Sequence, residues 1–253
     1  MKINFLLLPL FLLLLTGFDR PFRKDPTLIN RTVSISDNMS ISALEVTVFE
    51  WREFILANNN DPALYPDTVA LMDPGYRLLF KDLNTQNKAA LALRNYPVVG
   101  ITYEQALLFC RWKQRVVNGT HRDDQKILIS LPSADIHKKV IENTDSLYRK
   151  HMDRHKCWHW TFNYKHPPCD GEGGANRQGQ SLVRADAYWP TKLRIYNIRG
   201  NAAEMTAVKG IAMGGSFRQY AYQCSSDQVQ TYSGPQDWLG FRYIVTLAGA
   251  SSR

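Results

Sequence analysis

The sequence predicts a chain that mixes α-helices with short β-strands, on three observations. Two capping boxes open segments with apolar residues at helical spacing: Thr47-x-x-Glu50 before Trp51, Phe54 and Ile55, and Thr102-x-x-Gln105 before Ala106, Phe109, Cys110 and Lys113. Short apolar or alternating runs, bounded by Gly, Pro, Asn and Asp, read as strands. A length of 253 residues, 44% hydrophobic and 21% charged, is ordinary globular composition and bounds the chain to one large domain or two small ones.

In chain order, residues 1–17 carry Lys2, an apolar run from Phe5 to Leu15 and Thr16-Gly17, the pattern of a secretory signal peptide. The run is shorter than the roughly 20 residues a membrane span needs. Phe18 follows where a lipoprotein signal would have Cys, so no lipid anchor is expected. Residues 18–32 read as a charged leader. Val33–Ser36 and Leu44–Thr47 suit short strands, and Thr47 caps the first helix. Residues 58–95, with Asn58-Asn59-Asn60, Asp61-Pro62 and Asp73-Pro74-Gly75, read as a loop-rich surface insertion. The second helix starts at Thr102 and ends at Asn118-Gly119. Ile127–Leu131 is an apolar strand, and Leu131-Pro132-Ser133 opens a third helix. Gly171–Gly179 is a polar, glycine-rich loop without phosphate-loop spacing. Gly210–Phe217 and Leu239–Leu247 read as strands lying side by side, with Trp238 at their rim. Residues 248–253 form a tail.

The net charge of +8 suits an anionic surface or acidic partner in an exported protein better than nucleic acid, or serves solubility. Cys110, Cys157, Cys169 and Cys224 allow three full pairings, of which Cys157 with Cys169 is favoured because they flank Pro167-Pro168. Cys110, within a helix, reads as buried. His151, His155 and His159 recur at one-turn spacing and with Cys157 or His166 have the ligand types for zinc or copper, although a basic surface segment accounts for them as well. Asn30, Asn38 and Asn118 begin glycosylation sequons.

The stretch Tyr196–Phe217, YNIRGNAAEMTAVKGIAMGGSF, gathers Asn197, Gly200, Asn201 and Glu204 in one turn and closes on Gly214-Gly215-Ser216-Phe217. Such a segment presents side-chain and backbone oxygens to a hard cation, or is a polar loop between strands. With Gly240-Phe241-Arg242 it resembles the C-terminal signature of the formylglycine-generating enzyme family, the sulfatase-modifying factor domain. Glu45-Val46-Thr47 and Tyr96–Trp112 extend the likeness upstream, and Leu131-Pro132-Ser133 carries it weakly. The resemblance spans about residues 33–247. It implies an α+β domain related to the C-type lectin fold: a twisted antiparallel sheet with flanking helices and much irregular structure.

The family oxidises a cysteine of a substrate protein, using copper held by two cysteines after the Gly-Gly-Ser. Two thiolates suit Cu(I). Here those positions are Gln219 and Cys224, so copper and oxidase activity are not expected, and Cys224 would be the catalytic residue if any activity remained. The signature's tryptophans become Ala203 and Met205, and its arginine becomes Met213. One family calcium site carries over onto Asn197, Gly200, Ala202 and Glu204. For the family's other calcium site, Asn176 alone offers a candidate. The resemblance implies an exported, non-catalytic domain that binds an envelope protein or surface ligand through a groove near Gln219, Cys224 and Trp238, as do relatives in gliding-motility and secretion machinery. The alternatives are an oxidoreductase acting on a protein or small thiol, and a calcium-dependent sugar binder. Location is expected to be periplasmic or at the cell surface.

Overall fold

The computed structural model describes residues 31–67, 74–83, 85–120, 126–143, 162–165 and 181–248. The signal, leader and tail segments, the histidine cluster, Asn176 and the Cys157/Cys169 pair lie outside these residues, except for the end of the leader at Arg31-Thr32 and the start of the tail at Ala248. Strands β1 (Thr32–Ser36), β2 (Met39–Ser42), β3 (Lys126–Ser130) and β8 (Ile244–Ala248) form an antiparallel sheet in the order β1-β2-β8-β3. Strands β4 (Ala203–Met205), β5 (Ile211–Met213), β6 (Gln230–Thr231) and β7 (Leu239–Gly240) form a second sheet in the order β6-β5-β4-β7, in which β4 and β7 run parallel. Helices α1 (Val48–Ala57), α2 (Pro74–Lys81), α3 (Lys88–Ala92), α4 (Tyr103–Thr120) and α5 (134–143) flank them.

The two capping boxes form. Thr47 Oγ1 accepts from the Glu50 N–H while Glu50 Oε2 accepts from the Thr47 N–H. Gln105 and Thr102 do the same reciprocally at 2.8 and 3.1 Å. Each satisfies donors that a helix start otherwise leaves open. Trp51, Phe54 and Phe109 then meet in the core, with Trp51 stacked on Phe109 at 5.6 Å and Phe241 edge-on to both.

Four expectations need correction. Leu44–Thr47 is no regular strand; Val46 bonds in two directions, to the Phe241 carbonyl and from the Val98 N–H, and Thr47 makes an isolated bridge to Pro97. The regular strand lies earlier, at β2. Residues 58–95 are no surface insertion: they form α2 and α3 and bury Leu64, Tyr76, Leu79, Phe80, Leu83 and Ala90 in the main core. Helix α4 continues past Asn118-Gly119 to Thr120. Leu239–Leu247 is two strands in different sheets. Its β7 half lies beside β4, not beside β5, and the chain crosses from one sheet to the other between Gly240 and Ile244.

That crossing positions the site. Side chains of an extended segment alternate in direction. Phe241 and Tyr243 enter the aromatic core, and Arg242 points the other way. On β4, Ala203 and Met205 likewise face the core, leaving Glu204 to face Arg242.

Candidate functional site

Arg242 and Glu204 are fully buried and bonded fork to fork, Nε to Oε2 at 2.6 Å and Nη2 to Oε1 at 2.5 Å. Arg242 also donates to the carbonyls of Ser42 and Tyr196, each at 2.9 Å, so it ties β2, the turn and β4 together. His137, from α5, lies 3.3 Å from Glu204 Oε2. Burial, reinforced by the Arg242 charge, pushes His137 down to about 3 and keeps it neutral.

A second buried carboxylate, Glu45, completes the cluster. It accepts from the Ala202 N–H at 3.0 Å, from Asn201 Nδ2 at 3.2 and 3.0 Å, and from Asn197 Nδ2 at 3.3 Å. Burial, then the Glu204 charge, pushes Glu45 up to about 8, against the pull of Arg242 and the N–H donors. Asn201 Oδ1 in turn accepts from Asn163 Nδ2 and the Val183 N–H.

The turn that carries these groups is left-handed at Asn197, Gly200 and Asn201, with φ of 46°, 72° and 60°. Asn tolerates this region and Gly is at home there. A Cβ on Gly200 would stand 2.1 Å from the Asn163 carbonyl oxygen, the atom that accepts from the Asn201 N–H at 2.7 Å. The spacing Gly-Asn is therefore a requirement for close approach of the 162–165 segment.

The four residues proposed to hold calcium divide. Asn197 Oδ1 is buried and accepts no hydrogen bond, and Asn163 Oδ1 is in the same state. Asn197 thus offers one uncommitted side-chain oxygen of the kind a hard cation takes. Glu204 has both oxygens on Arg242.

The copper positions divide differently. Gln219 Oε1 accepts from the Ser216 N–H at 2.9 Å and from the Ser216 hydroxyl. Cys224 is buried; a Cβ on Gly215 would meet its Sγ at 2.5 Å. Burial pushes the Cys224 thiol up to about 12, with Arg199 opposing. A neutral, covered thiol beside a bonded amide does not fit Cu(I). Cys110 is also a buried free thiol, as its helical spacing predicted. Trp238 packs partly against the main core, and the neighbouring Asp237 pairs with Arg218, which brings the 218–219 and 237–238 segments together. Among the described residues, no group of three or more His, Cys, Asp or Glu side chains is arranged to hold a metal.

Sequence reasoning missed Glu45, His137, Asn163 and the role of Arg242. Glu45 and Arg242 stood in quoted motifs, in Glu45-Val46-Thr47 and Gly240-Phe241-Arg242. Nothing in a one-dimensional pattern pairs residues 38 positions apart, as Glu204 and Arg242 are.

Two sheets flanked by helices, crossed by an Arg–Glu pair beneath a left-handed Asn-Gly turn, define an α+β domain of the formylglycine-generating kind. The family model for the sulfatase-modifying factor enzyme 1-like domain matches residues 16–247, and the chain belongs to that family. Among curated proteins no sequence matches this chain. PvdO from Pseudomonas aeruginosa shares the fold with a TM-score of 0.50 at 14% identity, over 83% of this chain and 80% of that one. CarF does so with a TM-score of 0.50 at 14% identity, over 82% and 86%. No described helix is long and apolar enough to cross a membrane.

Proposed function

We propose that this protein is a non-catalytic member of its family, exported to the cell envelope, where it binds an envelope protein or a surface ligand. The observation that carries this reading is the pair Gln219 and Cys224. The amide is held on Ser216, and the thiol is covered by Gly215 and pushed to about 12. Nucleophilic and metal-binding cysteines need the thiolate and access, and Cys224 has neither. The ligand face is the surface around Gln219 and Trp238, with Cys224 anchoring it from below. The motility and secretion relatives named by resemblance motivate the envelope setting.

The test is oxygen uptake by the purified protein supplied with Cu(I) and a cysteine-containing sulfatase peptide, with mass analysis of the peptide. The expected result is an unchanged peptide and no retained copper. Turnover that disappears in Cys224→Ser would make the protein an oxidoreductase and overturn the reading.

We also propose that the turn takes calcium through Asn197 Oδ1 and the Gly200 and Ala202 carbonyls. Because Glu204 stays on Arg242, the donors are neutral. Calcium affinity falls as anionic ligands are lost, so binding belongs in the weak class, about 10⁻⁴ to 10⁻³ M.

A further inference from the structure

Near the proposed ligand face stands a feature that neither the fold nor the buried cluster requires. Tyr220 and Tyr222 are 38% and 69% exposed, and their rings lie parallel within 8°, with centroids 6.2 Å apart. An exposed tyrosine pair gains little from burial, so its alignment comes from the backbone beneath it. Tyr220 donates its N–H to Gln223 Oε1 at 3.0 Å, and the Gln223 N–H returns to the Tyr220 carbonyl at 2.9 Å. Gln223's own carbonyl accepts from Gln230 Nε2 at 2.8 Å. Arg199 Nε holds the Cys224 carbonyl at 2.9 Å, and the Ser225 hydroxyl holds the Tyr222 carbonyl at 2.7 Å. The turn Ala221–Cys224 is thus fastened at both ends, which fixes the backbone that carries the two rings.

One cation completes the platform. Lys165 donates its backbone N–H to the Gln219 carbonyl at 2.8 Å and places its ammonium 4.7 Å from the centre of the Tyr220 ring. Among the described residues no carboxylate pairs with it. Arg218 is neutralised by Asp237, and Asp227 is hydrogen-bonded to the Ser225 hydroxyl at 2.6 Å. Flat aromatic faces bind the C–H face of a pyranose ring, since both surfaces are apolar in the plane and polar at the edge. An ammonium over the Tyr220 ring, with no carboxylate paired to it among the described residues, selects a carboxylate, in keeping with the +8 charge of the whole chain.

We propose that Tyr220, Tyr222 and Lys165 form a binding platform for an anionic polysaccharide, a polymer of uronic-acid sugars. A sugar ring stacks on the more exposed Tyr222, and a carboxylate of the polymer meets Lys165 over the Tyr220 ring. This rests on the binding role proposed above and names its ligand class. An acidic peptide is the competing occupant, and it lacks the pyranose face.

The test measures binding of the full-length protein to polygalacturonate, to polyglutamate of matched charge and to neutral dextran, by calorimetry at low and physiological salt. Polygalacturonate is expected to bind, more weakly as salt rises, and to bind better than either control. Tyr222→Ala should weaken it about tenfold or more, the order that loss of one stacked ring produces. Lys165→Gln should remove the preference for polygalacturonate over dextran. Both side chains are exposed, so both variants should fold. Absence of polygalacturonate binding by folded protein, equal binding of polyglutamate, or unchanged affinity in Tyr222→Ala would each overturn the platform. Failure of the non-catalytic reading shows instead as oxygen uptake and a changed peptide mass, so the two failures are distinguishable.

Discussion

Lys113 lies in the core of this protein with its charge balanced by one partner. It is 1% exposed, its Nζ is 2.9 Å from Glu50 Oε1, and it stands 4.6 Å over the Tyr243 ring. Burial works against both charges. For Glu50, Lys113 and the Thr47 N–H outweigh it and hold the carboxyl below its ordinary value of 4.5. A carboxylate whose folded value is depressed adds stability above its unfolded value, and that stability is lost as pH falls through the folded value. Acidification below about 4.5 should therefore weaken the fold through Glu50. Removing one member of a buried pair leaves the other uncompensated, at a cost of about 3–5 kcal/mol. Lys113→Met should lose that much in urea unfolding at pH 7. The deficit should narrow at pH 4, where the stranded Glu50 can take up a proton. A loss under about 1 kcal/mol at pH 7 would show that the pair adds nothing beyond an apolar contact.

Among the elements, β3 is an outer strand whose free edge is closed by side chains of α4. Asn118 accepts from the Ile127 N–H at 2.9 Å and donates to the Ile127 carbonyl at 3.0 Å, while Gln114 accepts from the Ile129 N–H at 3.1 Å. These bonds occupy the groups that a further strand would use, and an open edge invites pairing with other chains. The same bonds occupy the amide nitrogen of the sequon at Asn118, which a glycan would need. Asn118→Ala should cost about 1–3 kcal/mol, since it strands a donor and an acceptor, and should raise light scattering on warming. Unchanged stability and scattering would mean that water seals the edge as well as Asn118 does.

For the molecule as a whole, the Arg242–Glu204 pair and the Gly240–Ile244 crossing hold two sheets to one another, with the Asn197 turn lying across the pair. A ligand bound only by this folded arrangement stabilises the whole. Calcium at ten times its dissociation constant should add about 1.4 kcal/mol, which for a domain of this size raises the melting temperature by about 3–6 °C. Asn197→Gly keeps the left-handed backbone and should abolish the rise. The absence of any rise at about 10 mM calcium, ten times the upper end of the weak class, would remove the calcium proposal.

From the sequence alone follow the two capped helices, the buried face of each, the family, the loss of one copper cysteine and the α+β class. All of these depend on residues near one another in the chain or on motifs of fixed spacing. Thr47 and Glu50 are neighbours through one helical turn, so their bond is legible from composition and order. Only the tertiary structure decided that side chains from residues 58–95 enter the core: helices α2 and α3, of eight and five residues, are too short to show a helical period, although Asn87 caps α3. Only it decided that Leu239–Leu247 divides between two sheets, since strand pairing is made by distant partners and leaves no local period. It alone placed Glu45, His137 and Arg242 around Glu204. A buried charge is stable only where opposite charge and hydrogen bonds close around it, and these groups, Glu204 included, come from four separate segments of the chain.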